Sequence, residues 1–274
     1  MYTLELETYW KTKSLLGRPT FHQASRENKI IIQGFGSVGQ VAAENLARRG
    51  AVIVGIITSE YAIYDSEGIN IEKALQWVAE TGSIREFEAT RQVRTPENPN
   101  IIMEEECDIL IPAAYERSIH RFNAPNIKCK VVAEAANGPT TVRGEEICEQ
   151  KGIKFVPDLI LNSGGVIGSY FEWLQNLQHV SQGRLTRRWE HQSKRRLYEA
   201  ITGKKLNKEE LKSKNLSGAQ EIDIVFSGLE DSIHSSLEEH LEKSLTLNTT
   251  IRIASLASSL NKIGDHYKHS GLVF

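Results

Sequence analysis

From Lys29 onward, short β-branched apolar runs alternate with longer stretches whose apolar residues recur at helical spacing. Ile30, Ile31 and Ile32 form the first run, and Ala51 to Ile57 the second, after a helix that ends at Gly50. Ile109 to Pro112, Val131 to Ala133 and Lys154 to Val156 are three more, with a weaker one near Val93. The pattern predicts five or six strands in a doubly wound parallel sheet, an α/β fold with helices on both faces. After Asp158 the strand signals stop. Gly164 to Gln182, a charged piece from Trp189 to Lys214, Ala219 to Leu245 and Asn248 to His269 then read as helices. Ahead of the sheet, Leu4, Leu6, Tyr9, Leu15 and Leu16 fit one helix face that Gly17 and Pro19 would end, followed by a polar loop to Asn28.

Composition removes several functional classes. The 274 residues are 40% hydrophobic and 25% charged, ordinary for a globular protein. Lys and Arg number 33 against 35 Asp and Glu, a formal net charge of -2, so there is no broad basic footprint for nucleic acid. The most apolar stretches, Ile53 to Ile57 and Ile109 to Ala114, fall far short of the roughly 20 residues of a membrane helix, so no membrane insertion is expected. Met1 to Trp10 carries two Glu and no Arg, which predicts neither a secretory signal nor a transit peptide. Cys107, Cys129 and Cys148 are widely spaced, predicting buried thiols in a reducing compartment rather than disulfides or a metal site.

The strongest chemical signal is Gly34-Phe35-Gly36-Ser37-Val38-Gly39, which leaves the first strand and opens a helix. In a Rossmann-like unit Gly34 makes the tight turn, Gly36 lets a diphosphate approach the backbone, and Gly39 lets helix and strand pack closely. The phosphates then sit at the positive end of the helix dipole. The second strand of such units normally ends in an acid that holds the adenosine ribose. Here Thr58 and Ser59 stand at that position and Glu60 follows, so the choice between NAD and NADP stays open.

Five separated motifs carry a resemblance: Gln33 to Gly39, Asp108 to Ala114, Ala133 to Thr141, Pro157 to Gly165 and Ser169 to Leu174. In this order and spacing they resemble the cofactor domain of the glutamate dehydrogenase family, which includes leucine, phenylalanine and valine dehydrogenases. The resemblance implies oxidative deamination of glutamate to 2-oxoglutarate and ammonia, with NAD or NADP taking the hydride. It also implies that Asn137 and Asn162 border the nicotinamide, that Ala113 and Ala114 lie against the cofactor, and that Ser169 contacts the substrate's distal carboxylate. Asn137 before Gly138 and Pro139 also fits a plain turn, Asn162 a helix cap, and the two alanines a plain core. Glu172 and Trp173 read as structural.

In such enzymes a separate substrate domain carries the catalytic lysine and the proton-relaying aspartate. That domain is expected to be missing from this chain, which would then hold no catalytic residue and not turn over alone. Residues 188–218 occupy the place of the antenna, a helical hairpin of animal and ciliate members, though their charge also fits a solvated surface helix. The implied organisation is an N-terminal helix and loop over 1–28, a dinucleotide-binding domain over 29–187, the antenna over 188–218, and pivot and terminal helices over 219–274. Antenna-mediated trimers or hexamers, or membership of a larger complex, follow from the same resemblance. So does a mitochondrial matrix location, with the cytoplasm as the alternative. Glu44 and Phe226 stand where animal members have an arginine and a histidine of an inhibitory GTP site, and Tyr61 where the family usually has glycine. Those departures predict no GTP inhibition of the animal kind, and a tyrosine that fills space near the adenosine ribose or strains the backbone. Two other readings remain: a catalytically dead paralogue with a structural or regulatory role, and a module that senses NAD or NADP.

Overall fold

The computed structural model describes residues 28–94, 97–178, 196–199, 201, 203 and 221–271. The expected helix before Gly17 and nearly all of the charged 188–218 segment lie outside the described residues. The described parts of Met1–Ser163 and His234–Phe274 form one compact unit, and those of Gly164–Ile233 a second.

The first unit is built on a seven-stranded sheet. Its strands are β1 (Lys29–Gln33), β2 (Val52–Ile57), β3 (Tyr61–Tyr64), β4 (Arg91–Arg94), β5 (Ile109–Pro112), β6 (Val131–Ala133) and β7 (Lys154–Val156), in the spatial order β4-β3-β2-β1-β5-β6-β7. The five strands from β2 to β7 across β1 run parallel, as the sequence predicts. The β3 strand was not expected, and both it and β4 pair antiparallel, so the sheet is mixed. Only residues 58–60 separate β2 from β3, and the turn is closed by Thr58 rather than by a glycine pair. The Thr58 amide donates to the Tyr61 carbonyl at 2.7 Å, and its hydroxyl donates to the same carbonyl at 2.8 Å. A threonine bridging its own turn leaves no Gly, Asn or Pro signal for a hairpin. Tyr61 is therefore the first residue of a strand, buried in the core under the Arg85 guanidinium at 5.7 Å, and not a loop residue. Its φ is not positive, so replacing glycine there brings no backbone strain.

Alternation along the strands divides the core between the two faces of the sheet. Ile30 and Ile32 of β1 pack with Ala42, Ala43 and Leu46 of α1 (Ser37–Arg48), and with Ile71 and Ala74 of α2 (Ile71–Thr81). Ile31 faces the other way, among Ile102 and Met103 of a 3-10 segment (Pro99–Glu104) and Cys148 of α3 (Val142–Gln150). All three cysteines lie in this second layer as buried free thiols. A side-chain contact with Cys129 and burial push the Cys107 thiol up, and burial pushes Cys148 up to about 12. Both are inert thiols at neutral pH.

The chain continues through α4 (Asp158–Leu161), α5 (Gly164–Gln178), α6 (Glu221–Thr246) and α7 (Ile251–Ser270). Ile160 of α4, Leu237 and Leu241 of α6, and Ile251 of α7 form a third apolar cluster that holds the terminal helices to the end of the sheet. Alongside it, the Glu239 carboxylate accepts from the Ser258 hydroxyl at 2.6 Å and from the Lys262 ammonium at 2.8 Å. Those bonds, with that of Lys262 the strongest, hold its pKa down at about 2.

Leu237 is fully buried, so Leu237→Ala should destabilise the chain by about 2–5 kcal/mol in urea unfolding. Because the folded pKa of Glu239 lies below its ordinary 4.5, its stabilisation is present above that value and lost as pH falls through about 2. Thermal melts should therefore show wild type above Glu239→Gln by a small margin near neutrality, worth about 0.2–1 kcal/mol for an exposed pair, and the margin should close in acid.

Candidate functional site

Gly34 leaves β1 at a φ of 99°, a conformation that side chains avoid. Its amide donates to the Ile57 carbonyl at 2.7 Å, which brings the ends of β1 and β2 together at the turn. A Cβ on Gly34 would lie 2.7 Å from the Ala113 carbonyl oxygen, so the turn also runs directly against the end of β5. Gly39 is more tightly constrained, since a Cβ there would meet the Gly34 carbonyl oxygen at 1.8 Å. Gly36 is the opposite case: a Cβ would meet nothing within 4 Å. It caps α1, whose first turn has no acid and no side-chain cap bond. Ser37 and Val38 are exposed beside it, whereas Phe35 is buried and packs its ring into the core layer under α1. Among the six residues of the motif, Phe35 thus contributes a wedge rather than a surface.

The geometry offers a polar ligand free backbone N–H groups at the positive end of a twelve-residue helix, with open space at Gly36. A diphosphate fits that cradle. On its β2 side, Thr58 spends its hydroxyl on the hairpin, accepting from the Tyr61 amide at 3.1 Å as well as donating to the Tyr61 carbonyl. Ser59 and Glu60 are exposed next to it. On its β5 side, Ala113 is half-buried and packs against the core layer under α1, whereas Ala114 is exposed past the strand end.

Asn137 and Asn162, 25 positions apart, meet: the Asn162 Nδ2 donates to the Asn137 Oδ1 at 2.5 Å. Both amides therefore face one another beyond the ends of β6 and β7. What holds them was not foreseen. Arg252, on the first turn of α7, donates from Nη2 to Glu134 Oε2 at 2.6 Å and from Nε to Glu145 Oε2 at 2.8 Å. Its Nη1 donates to Asp158 Oδ1 at 2.9 Å. Asp158 in turn accepts from the Gly138 amide through Oδ2 at 2.8 Å and donates its own amide to Glu134 Oε2 at 3.0 Å. Glu134 is completely buried, and its Oε1 has no hydrogen-bond partner among the described residues. Burial works against the charge of Arg252, but Glu134, Glu145 and Asp158 outweigh it and hold the guanidinium's pKa above its ordinary value. Burial raises the Glu145 carboxyl, against the pull of Arg252. The residues that could have signalled this cluster are acids in two of the motifs, a third acid on α3 and a lone arginine after Thr250, with nothing local to join them.

In the second unit, the Ser169 hydroxyl donates to the Gly165 carbonyl at 3.0 Å and is exposed. Trp173 is 54% exposed and stacks on Tyr170 at 5.9 Å, on the surface of α5 within the described residues. Phe226 is exposed as well. In the first unit Glu44 pairs with Arg48 at 2.6 Å along α1.

A family model described as Glutamate/Leucine/Phenylalanine/Valine dehydrogenase matches residues 18–224. The mitochondrial glutamate dehydrogenase of Dictyostelium discoideum is 41% identical over 253 residues, covering 89% of this chain and 49% of that protein. The NADP-specific glutamate dehydrogenase of Saccharolobus shibatae is 43% identical over 149 residues, 54% of this chain and 34% of that one. Among solved structures, the hetero-hexameric glutamate dehydrogenase of Thermus thermophilus shares the fold at a TM-score of 0.73 and 21% identity, over 100% of this chain and 53% of that one. This chain spans about half the length, or less, of the relatives it matches.

Gly36→Ala should change the unfolding free energy in urea by less than about 1 kcal/mol, the scale of a helix-cap change. Gly39→Ala should cost at least about 1–3 kcal/mol, because the added methyl overlaps backbone that cannot yield without opening the turn.

Proposed function

The chain belongs to the Glutamate/Leucine/Phenylalanine/Valine dehydrogenase family, and from that premise we propose that it is the dinucleotide-binding half of a glutamate dehydrogenase. The observation that carries the reading is the turn from Gly34 to Gly39, open at Gly36 in front of an uncapped helix. Its backbone amides would hold the diphosphate of NAD or NADP. Ser59 and Glu60 would face the adenosine ribose, with Thr58 serving the turn behind them. Ala113 and Ala114 would form the surface under the cofactor, and Asn137 with Asn162 the border of its nicotinamide end. Ser169 would meet the distal carboxylate of glutamate. The bound dinucleotide supplies the hydride acceptor for oxidative deamination of L-glutamate to 2-oxoglutarate and ammonia.

Turnover needs the substrate held against that ring from the opposite side, an orientation effect worth roughly 7 to 11 kcal/mol of barrier. Apart from Ser169, the contacts carried over to these residues belong to the cofactor, and none is a catalytic group, so in this reading the chain by itself does not oxidise glutamate. Residues 29–187 are the dinucleotide-binding domain of this reading, 188–218 the antenna, and 219–274 the pivot and terminal helices. The antenna would join copies into trimers or hexamers, or join this chain to a larger assembly. The name of the Dictyostelium relative supports a mitochondrial location.

Calorimetry on the full chain should give saturable heat with NADH, NADPH or both, and Gly36→Val should abolish it while leaving the melting temperature nearly unchanged. No heat with either dinucleotide would overturn the reading. Glutamate-dependent formation of reduced nicotinamide by the purified chain would overturn its inactivity alone.

A further inference from the structure

Arg252 ties together three segments that lie far apart in sequence. Glu134 follows β6, Glu145 lies in α3, and Asp158 opens α4, at sequence separations of 118, 107 and 94 residues from the arginine. The turn at Asn137 and Gly138 hangs between the first two, and the Gly138 amide is fixed by the free oxygen of the third. Asn162 is the residue that ends α4, so its position is set by where Asp158 begins that short helix. The two ends close on each other through the Asn162 to Asn137 bond. A ring results: arginine, Glu134, Asn137, Asn162, α4, Asp158 and back to the arginine. Three of the guanidinium's donors go to three different carboxylates in a planar fork that an ammonium cannot reproduce.

We propose that Arg252 is a positioning residue for the nicotinamide end of the bound dinucleotide, acting through the Asn137 and Asn162 amides that it never touches. The proposal rests on the dinucleotide reading above. An amide pair held at fixed separation presents a donor, the Asn137 nitrogen, and an acceptor, the Asn162 oxygen, which is the complement of a primary carboxamide. Loosening either strand end by an ångström spoils that match while leaving the glycine turn, at the far end of the ligand, untouched.

Calorimetry on the full chain would compare NADH with ADP-ribose, which keeps the adenine, the diphosphate and both riboses but has no nicotinamide. Arg252→Lys should weaken NADH about tenfold and leave ADP-ribose within about twofold. In an Asn162→Ala background the same substitution should add little, because the arginine acts through that side chain. A merely structural arginine would weaken both ligands equally, and this result would overturn the proposal, as would an additive double variant. Should Arg252→Lys lose its cooperative melt, Glu145→Gln carries the test: it removes the charge facing Nε and should lower NADH affinity selectively, whereas an unchanged ratio overturns the proposal. Wild type that binds ADP-ribose as tightly as NADH refutes the positioning role but spares the dinucleotide reading. Wild type that binds neither refutes both.

Discussion

Three carboxylates converge on one guanidinium, and a fully buried Glu134 sits at the centre with one oxygen unpartnered among the described residues. Such a group is a poor source of stability, since desolvating the charges offsets most of their attraction. It is a strong source of uniqueness. Moving any of the three acids leaves a buried charge without its counterion, so the ends of β6 and β7 and the start of α3 have one permitted arrangement. The side chains at the rim of the sheet inherit that arrangement.

The two ends of the candidate site are specified by different physics. At the Gly34 to Gly39 turn everything is backbone: where a Cβ is forbidden, at Gly34 and Gly39, the chain must be glycine, and where it is merely absent, at Gly36, there is room for a ligand. Nothing distant is needed beyond the close approach of β5. At the Asn137 and Asn162 end, by contrast, two exposed or half-exposed amides have no packing of their own, and electrostatics anchored in the last helix replaces the missing steric definition.

That contrast explains what could be read from the sequence. The parallel strands and the glycine turn are local signals, with period and spacing contained in a few residues, and the structure has them where expected. The β3 strand escaped because Thr58 closes its hairpin with its own hydroxyl, a device with no compositional mark. Phe35 looked like part of a binding loop by position, yet a large apolar ring beside a buried β1 end has a better place in the core. Arg252 could not have been found by any window short enough to be informative. An arginine on an ordinary helix face declares nothing until the fold delivers its acids.

The long span of that cluster bears on how the polypeptide matures. As the ribosome releases the chain from its N-terminus, β1 and the glycine turn can assemble once β5 has emerged. The buried acid after β6 must wait much longer for its counterion, which arrives with α7. Until then the nascent protein carries an uncompensated anionic knot at its rim, open to water and to quality control. A truncated or stalled product would therefore be marked by that knot even with every strand of its sheet already made.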